Sequence, residues 1–127
     1  MIRQRHARRR PLALVARPSD RPSTLMDLAR QVSGPVVYVI VAGPHVKIGH
    51  TGDLAGRLSF YGPRAVERLV LVEPGTRDDE QVLHDRWRPF LARGREWYAP
   101  APHLLRWVDS RREALGLDPV DWQSARA

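Results

Sequence analysis

The sequence predicts an α+β domain in which a β-hairpin and a third strand alternate with helices. The first observation is a β-branched and aromatic run over residues 36–41, which a turn and a second apolar stretch follow up to Gly49. The second is a further apolar run over residues 68–74. The third is helical spacing of apolar residues over 76–88 and again over 101–115.

A chain of 127 residues fits one compact domain with tails. Residues 1–33 combine an arginine cluster with several prolines, which predicts a basic N-terminal arm with a short helix over 23–32. The arm either holds nucleic-acid phosphates without sequence preference or is a solvated tail. The domain is expected over 34–116, because Gly116 ends the last helix, and a C-terminal tail over 117–127.

The formal net charge of +7 favours a polyanionic partner, although the preference for arginine over lysine also fits a guanine- and cytosine-rich genome. The absence of cysteine excludes disulfides, thiolate zinc sites and thiol nucleophiles, and it suggests a reducing cytoplasm. No apolar run approaches the ~18–20 residues that a membrane span needs, so no membrane association is expected.

The hairpin register follows from its turn. With Gly43 and Pro44 at the centre, the predicted pairs are Val41 with Val46, Val39 with Ile48, Ile40 with Lys47, and Tyr38 with Gly49. This register places the apolar side chains of Val39, Val41, Val46 and Ile48 on one face, as a core requires. Tyr38, Lys47 and Gly49 then share the other face. Taken alone, a strand tyrosine is usually a packing residue and a strand lysine is usually solvated.

The segment 51–61 predicts a short helix that Thr51 or Asp53 caps. Arg57 on this helix would return beside the sheet, where its guanidinium could grip a phosphate. The alternative is an exposed arginine that pairs with Asp53 four residues earlier.

The next helix begins with a Thr76/Asp79 capping box and carries Glu80 on the same stripe as Leu83 and Trp87. An acidic side chain that faces a sheet is unfavourable to bury unless a cationic side chain or a metal ion pairs with it. The alternative is that Glu80 stays solvated and favours the positive end of the helix dipole. His84, one turn further on, is expected to face the sheet as well.

These motifs together resemble the GIY-YIG nuclease superfamily, in particular its phage and bacterial branch with a KIG second motif and a late E-W-aromatic motif. The resemblance rests on VYVI, KIG, Arg57 in RLSFY, Glu80 and REWY, and it covers about half of the chain, residues 36–98. It implies a small three-stranded antiparallel sheet flanked by helices and metal-dependent hydrolysis of phosphodiester bonds in DNA.

The resemblance also implies the site residues. Tyr38 matches the tyrosine of the first motif, Gly49 the glycine of the second, Arg57 the helix arginine and Glu80 the metal-binding glutamate. Glu80 would hold one Mg²⁺ or Mn²⁺ ion, Arg57 would stabilise phosphoryl charge, and Tyr38 would orient or deprotonate water. The full catalytic set is Tyr38, Lys47, Arg57, Glu80 and His84, and the substrate-binding candidates are Gly49, His50 and Arg64.

The chain departs from the family pattern in three places. Lys47 stands where relatives have a second tyrosine, so it would contact a phosphate or act as a base. Val36 or Val37 replaces the first glycine, and no equivalent of a common asparagine is present. Trp97 is expected to close the core, and Glu96 to orient Arg57 or Lys47 or to form a surface ion pair.

The leading interpretation is therefore a DNA endonuclease. One alternative is a nucleic-acid-binding module that keeps the fold without turnover, and another is a protein-interaction domain with incidental charge. Sequence specificity would have to come from the arm, the last helix or a partner protein.

Overall fold

A computed structural model describes residues 34–60 and 68–125 of the chain, without the side chain of Ser124. The predicted N-terminal arm with its helix over 23–32, the substrate-binding candidate Arg64 and the last two residues of the predicted tail lie outside the described residues. Within the described ranges, no helix is long and apolar enough to cross a membrane.

The described chain is α+β, and its sheet has five antiparallel strands in the order β3-β1-β2-β5-β4. The strands are β1 Val36–Ala42, β2 His45–Thr51, β3 Leu69–Pro74, β4 Leu91–Arg93 and β5 Trp97–Tyr98. The helices are α1 Leu54–Phe60, α2 Arg77–Trp87, α3 Pro102–Ala114 and the four-residue α4 Trp122–Ala125, and a 3₁₀ turn, Arg88–Phe90, follows α2.

The prediction of a three-stranded sheet is wrong. The segment between α2 and α3 forms the β4–β5 hairpin, with Gly94 at a φ of 61° in its turn, and this hairpin adds to the edge of β2 that β1 leaves free. Its strands have only three and two residues, so they are too short to show the alternation that predicts a strand.

The predicted hairpin register is confirmed at each of its four pairs, including Tyr38 with Gly49 and Ile40 with Lys47. Strand β1 lies between β2 and β3, and all its residues up to Val41 are buried, so the strand is covered on both faces. Its β-branched composition reflects this central position.

Helices α2 and α3 cover one face of the sheet. Val37 and Leu71, which point to that face, line a cavity together with Leu83 of α2 and Trp107 of α3. The opposite face carries Tyr38, Lys47 and Gly49, as the alternation of side chains along β1 and β2 requires.

The predicted capping box of α2 is present. The Thr76 hydroxyl accepts a hydrogen bond from the Asp79 backbone N–H, and the Asp79 carboxylate accepts one from the Thr76 backbone N–H. Trp87 is buried at the end of α2, and Pro89 lies in the 3₁₀ turn that follows. Both ends of the helix are thus determined by local sequence.

The C-terminal segment folds back onto α3. The Asp109 carboxylate accepts hydrogen bonds from the Trp122 indole N–H and the Val120 backbone N–H, each at 2.9 Å. Arg111 forms a bidentate pair with Glu73 of β3, and this hydrogen bonding raises the pKa of Arg111 above its ordinary value. The Arg111–Glu73 pair thus links α3 to β3, at one edge of the sheet.

Candidate functional site

Tyr38 and Gly49 pack directly against each other. Tyr38 is wholly buried, and a Cβ atom built on Gly49 would lie 2.5 Å from Tyr38 Cζ. Glycine is therefore required here by the tyrosine ring, which occupies the space where a side chain at position 49 would be. Gly49 was predicted to bind substrate, and on this face the group that approaches it closely is the Tyr38 ring.

Lys47 is buried and forms an ion pair with Glu96. Its ammonium nitrogen also lies 5.5 Å from the centre of the Trp97 ring. The backbone joins the same elements, because the Ile48 N–H donates to the Glu96 carbonyl at 3.1 Å. Of the alternatives for Glu96, the structure shows the pair with Lys47, and this pair links β2 to the β4–β5 hairpin.

Arg57 is exposed on α1. Asp53, its alternative partner in the sequence interpretation, caps the helix, since one carboxylate oxygen accepts a hydrogen bond from the Gly56 N–H at 3.1 Å. Leu54 and Leu58 are buried on the inner side of α1. Arg57 is thus exposed beside the buried stripe of the helix.

Glu80 and His84 form a mostly buried pair on α2. Their side chains are 13% and 14% exposed, and Glu80 Oε2 lies 3.7 Å from His84 Nε2. His84 Nε2 is also 3.0 Å from the carbonyl oxygen of Ile48. Because a carbonyl only accepts hydrogen bonds, Nε2 carries the proton in this contact, and Nδ1 of the neutral ring remains an acceptor. The prediction that Glu80 faces the sheet is confirmed.

Helix α2 runs antiparallel to β2. At its start, Gly75 lies against Val37, which pairs with His50 near the end of β2. Further along α2, the rings of His84 and Tyr98 are 5.9 Å apart, and Tyr98 pairs with Val46 near the start of β2. This course places Glu80 toward the half-exposed His50, beyond the part of β2 that pairs with β5.

Four of the five predicted catalytic residues therefore fall into two groups on opposite faces of the sheet. Tyr38 and Lys47 lie on one face, and α2 brings Glu80 and His84 to the other, beside β2. The fifth, Arg57, is exposed on α1. The roles assigned to these residues stay predictions.

The donor set around Glu80 is small. Within the described ranges, no group of three or more His, Asp or Glu side chains is arranged to hold a metal. In the same part of the chain, His84 is the only ionic neighbour of Glu80. A carboxylate that is mostly removed from water and lacks an arginine or lysine partner fits a hard cation that takes its other ligands from water and substrate oxygens.

The sequence interpretation missed a group of residues beside His84. Arg88, Arg95 and Tyr98 line a groove of about 220 Å³ that His84 also borders. Burial, followed by the nearby Glu96 charge, raises the pKa of Tyr98 to about 12, so its hydroxyl stays protonated at neutral pH. The available signal was the EWY motif, in which Trp97 was assigned to the core and Tyr98 was given no role.

No family model, curated protein or solved structure matches this chain.

Proposed function

We propose that this protein is a metal-dependent DNA endonuclease that hydrolyses phosphodiester bonds. The observation that carries the proposal is the Glu80 carboxylate, which is only 13% exposed and whose one ionic neighbour in the described chain is a histidine. Keeping such a group charged is unfavourable unless a cation joins it. The net charge of +7 supports a polyanionic substrate.

Glu80 would hold one Mg²⁺ or Mn²⁺ ion. When bound, the ion supplies neutralisation of phosphoryl charge and activation of water. A single protein carboxylate suits Mg²⁺, which keeps several waters and binds substrate phosphates rather than requiring a full protein cage.

His84 would handle the proton. Its Nε2–H donates to the Ile48 carbonyl, which fixes the ring and its tautomer and leaves Nδ1 as the acceptor. Nδ1 is then the ring atom that would accept the proton.

Arg57 and His50 would contact the substrate. The Arg57 guanidinium, exposed on α1, would neutralise the phosphoryl oxygens, and His50 lies half-exposed toward the end of β2. Tyr38 and Lys47 are buried, and Lys47 is already paired with Glu96. In this proposal they act by holding the hairpin in place rather than by touching the DNA.

The second candidate is a nucleic-acid-binding module without turnover. It is favoured by the same two observations on the other face: Tyr38 is enclosed, and the lysine that replaces a tyrosine forms an internal ion pair. Binding would then depend on the positive charge and would weaken steeply with salt.

The test is a cleavage assay with supercoiled, branched and single-stranded DNA, with Mn²⁺ or with EDTA. We expect cleavage in Mn²⁺ only, and a loss of at least about 100-fold in Glu80→Gln, because the metal ligand is removed while the shape is kept. Asp78→Asn is the matched control, since Asp78 is an exposed acid in the same first turn of α2, and it should cleave normally.

Cleavage that persists in EDTA or in Glu80→Gln would contradict the proposed metal site. Salt-dependent binding without cleavage of any substrate would favour the binding module.

A further inference from the structure

A groove opens between α2 and the β4–β5 hairpin. One wall consists of Gln81 and His84 of α2 and of Arg88 in the 3₁₀ turn that follows, and the other wall comes from the hairpin. The lining residues are Gln81, His84, Arg88, Leu91, Arg95 and Tyr98. Since His84 belongs both to this groove and to the pair with Glu80, the groove is continuous with the candidate site.

The hydroxyl of Tyr98 has unused hydrogen-bonding capacity. Tyr98 is only 1% exposed, yet no group in the described part of the chain hydrogen-bonds to its hydroxyl. The hydroxyl is not sealed off either, because among the described residues the only enclosed side-chain polar atom without a partner is Trp87 Nε1. Because the hydroxyl can be reached from the groove, a ligand bound there can accept its hydrogen bond.

Two arginines border the same groove. Arg95 is exposed and forms no ion pair with any described residue, whereas Arg88 pairs with Asp85 in the open, where such a pair contributes little. Both guanidiniums can therefore turn to an anionic ligand at small cost, and each offers a planar set of donors that matches a phosphate.

The groove is small. Its volume of about 220 Å³ lies below the ~300–1,000 Å³ of pockets that enclose a whole small molecule. It therefore fits one unit of a longer ligand, with the remainder in solvent.

We infer that this groove is a phosphate-binding subsite for a nucleic-acid strand, in which Arg88, Arg95 and the Tyr98 hydroxyl donate hydrogen bonds to one backbone phosphate. The inference rests on the proposed function for its choice of ligand. The phosphate held here would neighbour the one that is hydrolysed beside Glu80 and His84. The groove would therefore set the position of the strand relative to the site.

The test measures DNA binding without cleavage. Fluorescence anisotropy of a labelled eight-nucleotide oligothymidylate is followed in EDTA, with a salt series, for the full chain and for Arg95→Gln and Tyr98→Phe. The matched control is Arg106→Gln, which removes the same charge from an exposed position on α3 that does not line the groove.

We expect Arg95→Gln to weaken binding about ten-fold and to lower the salt slope by about one, because it removes one charged phosphate contact. Tyr98→Phe should weaken binding about five-fold with an unchanged melting temperature, since the lost hydroxyl has no partner within the described protein. The Arg106→Gln control should stay within about two-fold of the unmodified chain.

The inference stands only if both groove variants lose more affinity than the control. An Arg95 effect without a Tyr98 effect overturns it in favour of a surface contact, and no measurable affinity of the unmodified chain overturns it as well. Groove-dependent binding without any cleavage in Mn²⁺ would leave the subsite standing and remove the endonuclease. Cleavage in Mn²⁺ together with unchanged DNA affinity of the groove variants would leave the endonuclease standing and remove the subsite.

Discussion

The centre of the β1–β2 hairpin and the α2 side of β2 differ in how far their polar groups are already satisfied. At the hairpin centre, the Tyr38 ring fills the space above Gly49, and Lys47 is paired with Glu96. On the α2 side, Glu80 has a single ionic neighbour in the described chain, and the Tyr98 hydroxyl has no hydrogen bond there. The hairpin centre is completed by the protein itself, whereas the α2 side has capacity left for a ligand.

The residues that carry the sequence resemblance are thus different from those that have hydrogen-bonding or ionic capacity left for a ligand. The hairpin motifs carry much of the sequence resemblance, yet their side chains are enclosed. Groups with unmet hydrogen-bonding or ionic capacity are the better candidates for substrate contact, because the unfavourable burial is relieved only when a ligand binds. We therefore place the proposed chemistry on the α2 side of β2.

The largest effect should come from Gly49→Ala at the hairpin centre. The new methyl group would lie 2.5 Å from Tyr38 Cζ, and the enclosed ring has no room to move, so we expect the free energy of unfolding to fall by about 3 kcal/mol. Urea denaturation measures it. Gly52→Ala is the control, because a Cβ atom there meets nothing within 4 Å, and it should change stability by less than about 0.5 kcal/mol. Equal losses would show that Tyr38 does not enforce the glycine.

A smaller loss should follow from Glu96→Gln, which leaves the Lys47 ammonium buried without its carboxylate. Lys47 is 6% exposed but the Glu96 side chain is 37% exposed, so we expect a loss of about 2 kcal/mol rather than the larger value of a fully buried pair. The comparison is Asp85→Asn, which breaks the exposed pair with Arg88 and should stay within about 1 kcal/mol in the same urea experiment. If the two variants lose the same stability, the hairpin centre is not distinguished by its internal pairing.

The effect that is smallest at neutral pH concerns the Tyr98 hydroxyl, which changes stability only in alkali. Its pKa is about 12 in the folded chain and about 10 when unfolded, so between these values the folded state binds more protons. Stability should then fall as pH rises from about 10 to about 12, and the contribution is unchanged below pH 10.

The measurement is absorbance of ionised tyrosine during a pH titration of the folded chain. A step near pH 12 should disappear in Tyr98→Phe, and the alkaline loss of stability should become shallower in that variant. A Tyr98 step near pH 10 would contradict the burial of the hydroxyl, which is the main cause of its raised pKa.

Local rules predicted several parts of the fold accurately. The hairpin register followed from the turn residues and from the need to place four apolar side chains on one face. The limits of α2 followed from a capping box at Thr76 and a proline at position 89. In the site, the inward direction of Glu80 and His84 followed from their helical spacing with Leu83 and Trp87.

Other parts could not be read from local patterns. Strands β4 and β5 are defined by hydrogen bonds to β2, about fifty positions earlier in the chain, and not by their own periodicity. The grouping of Arg88, Arg95 and Tyr98 likewise depends on how the hairpin is placed against α2.

The sequence by itself determined the α+β composition, the pairing of β1 with β2 and the orientation of α2, because these depend on side-chain alternation, turns and caps within short stretches. Only the tertiary structure decided that α2 covers the face opposite to Tyr38 and Lys47, and that the hairpin at residues 91–98 completes the sheet. The physical reason is that alternation defines two faces of a strand without saying which elements cover each face. That choice is made by the packing of the whole domain.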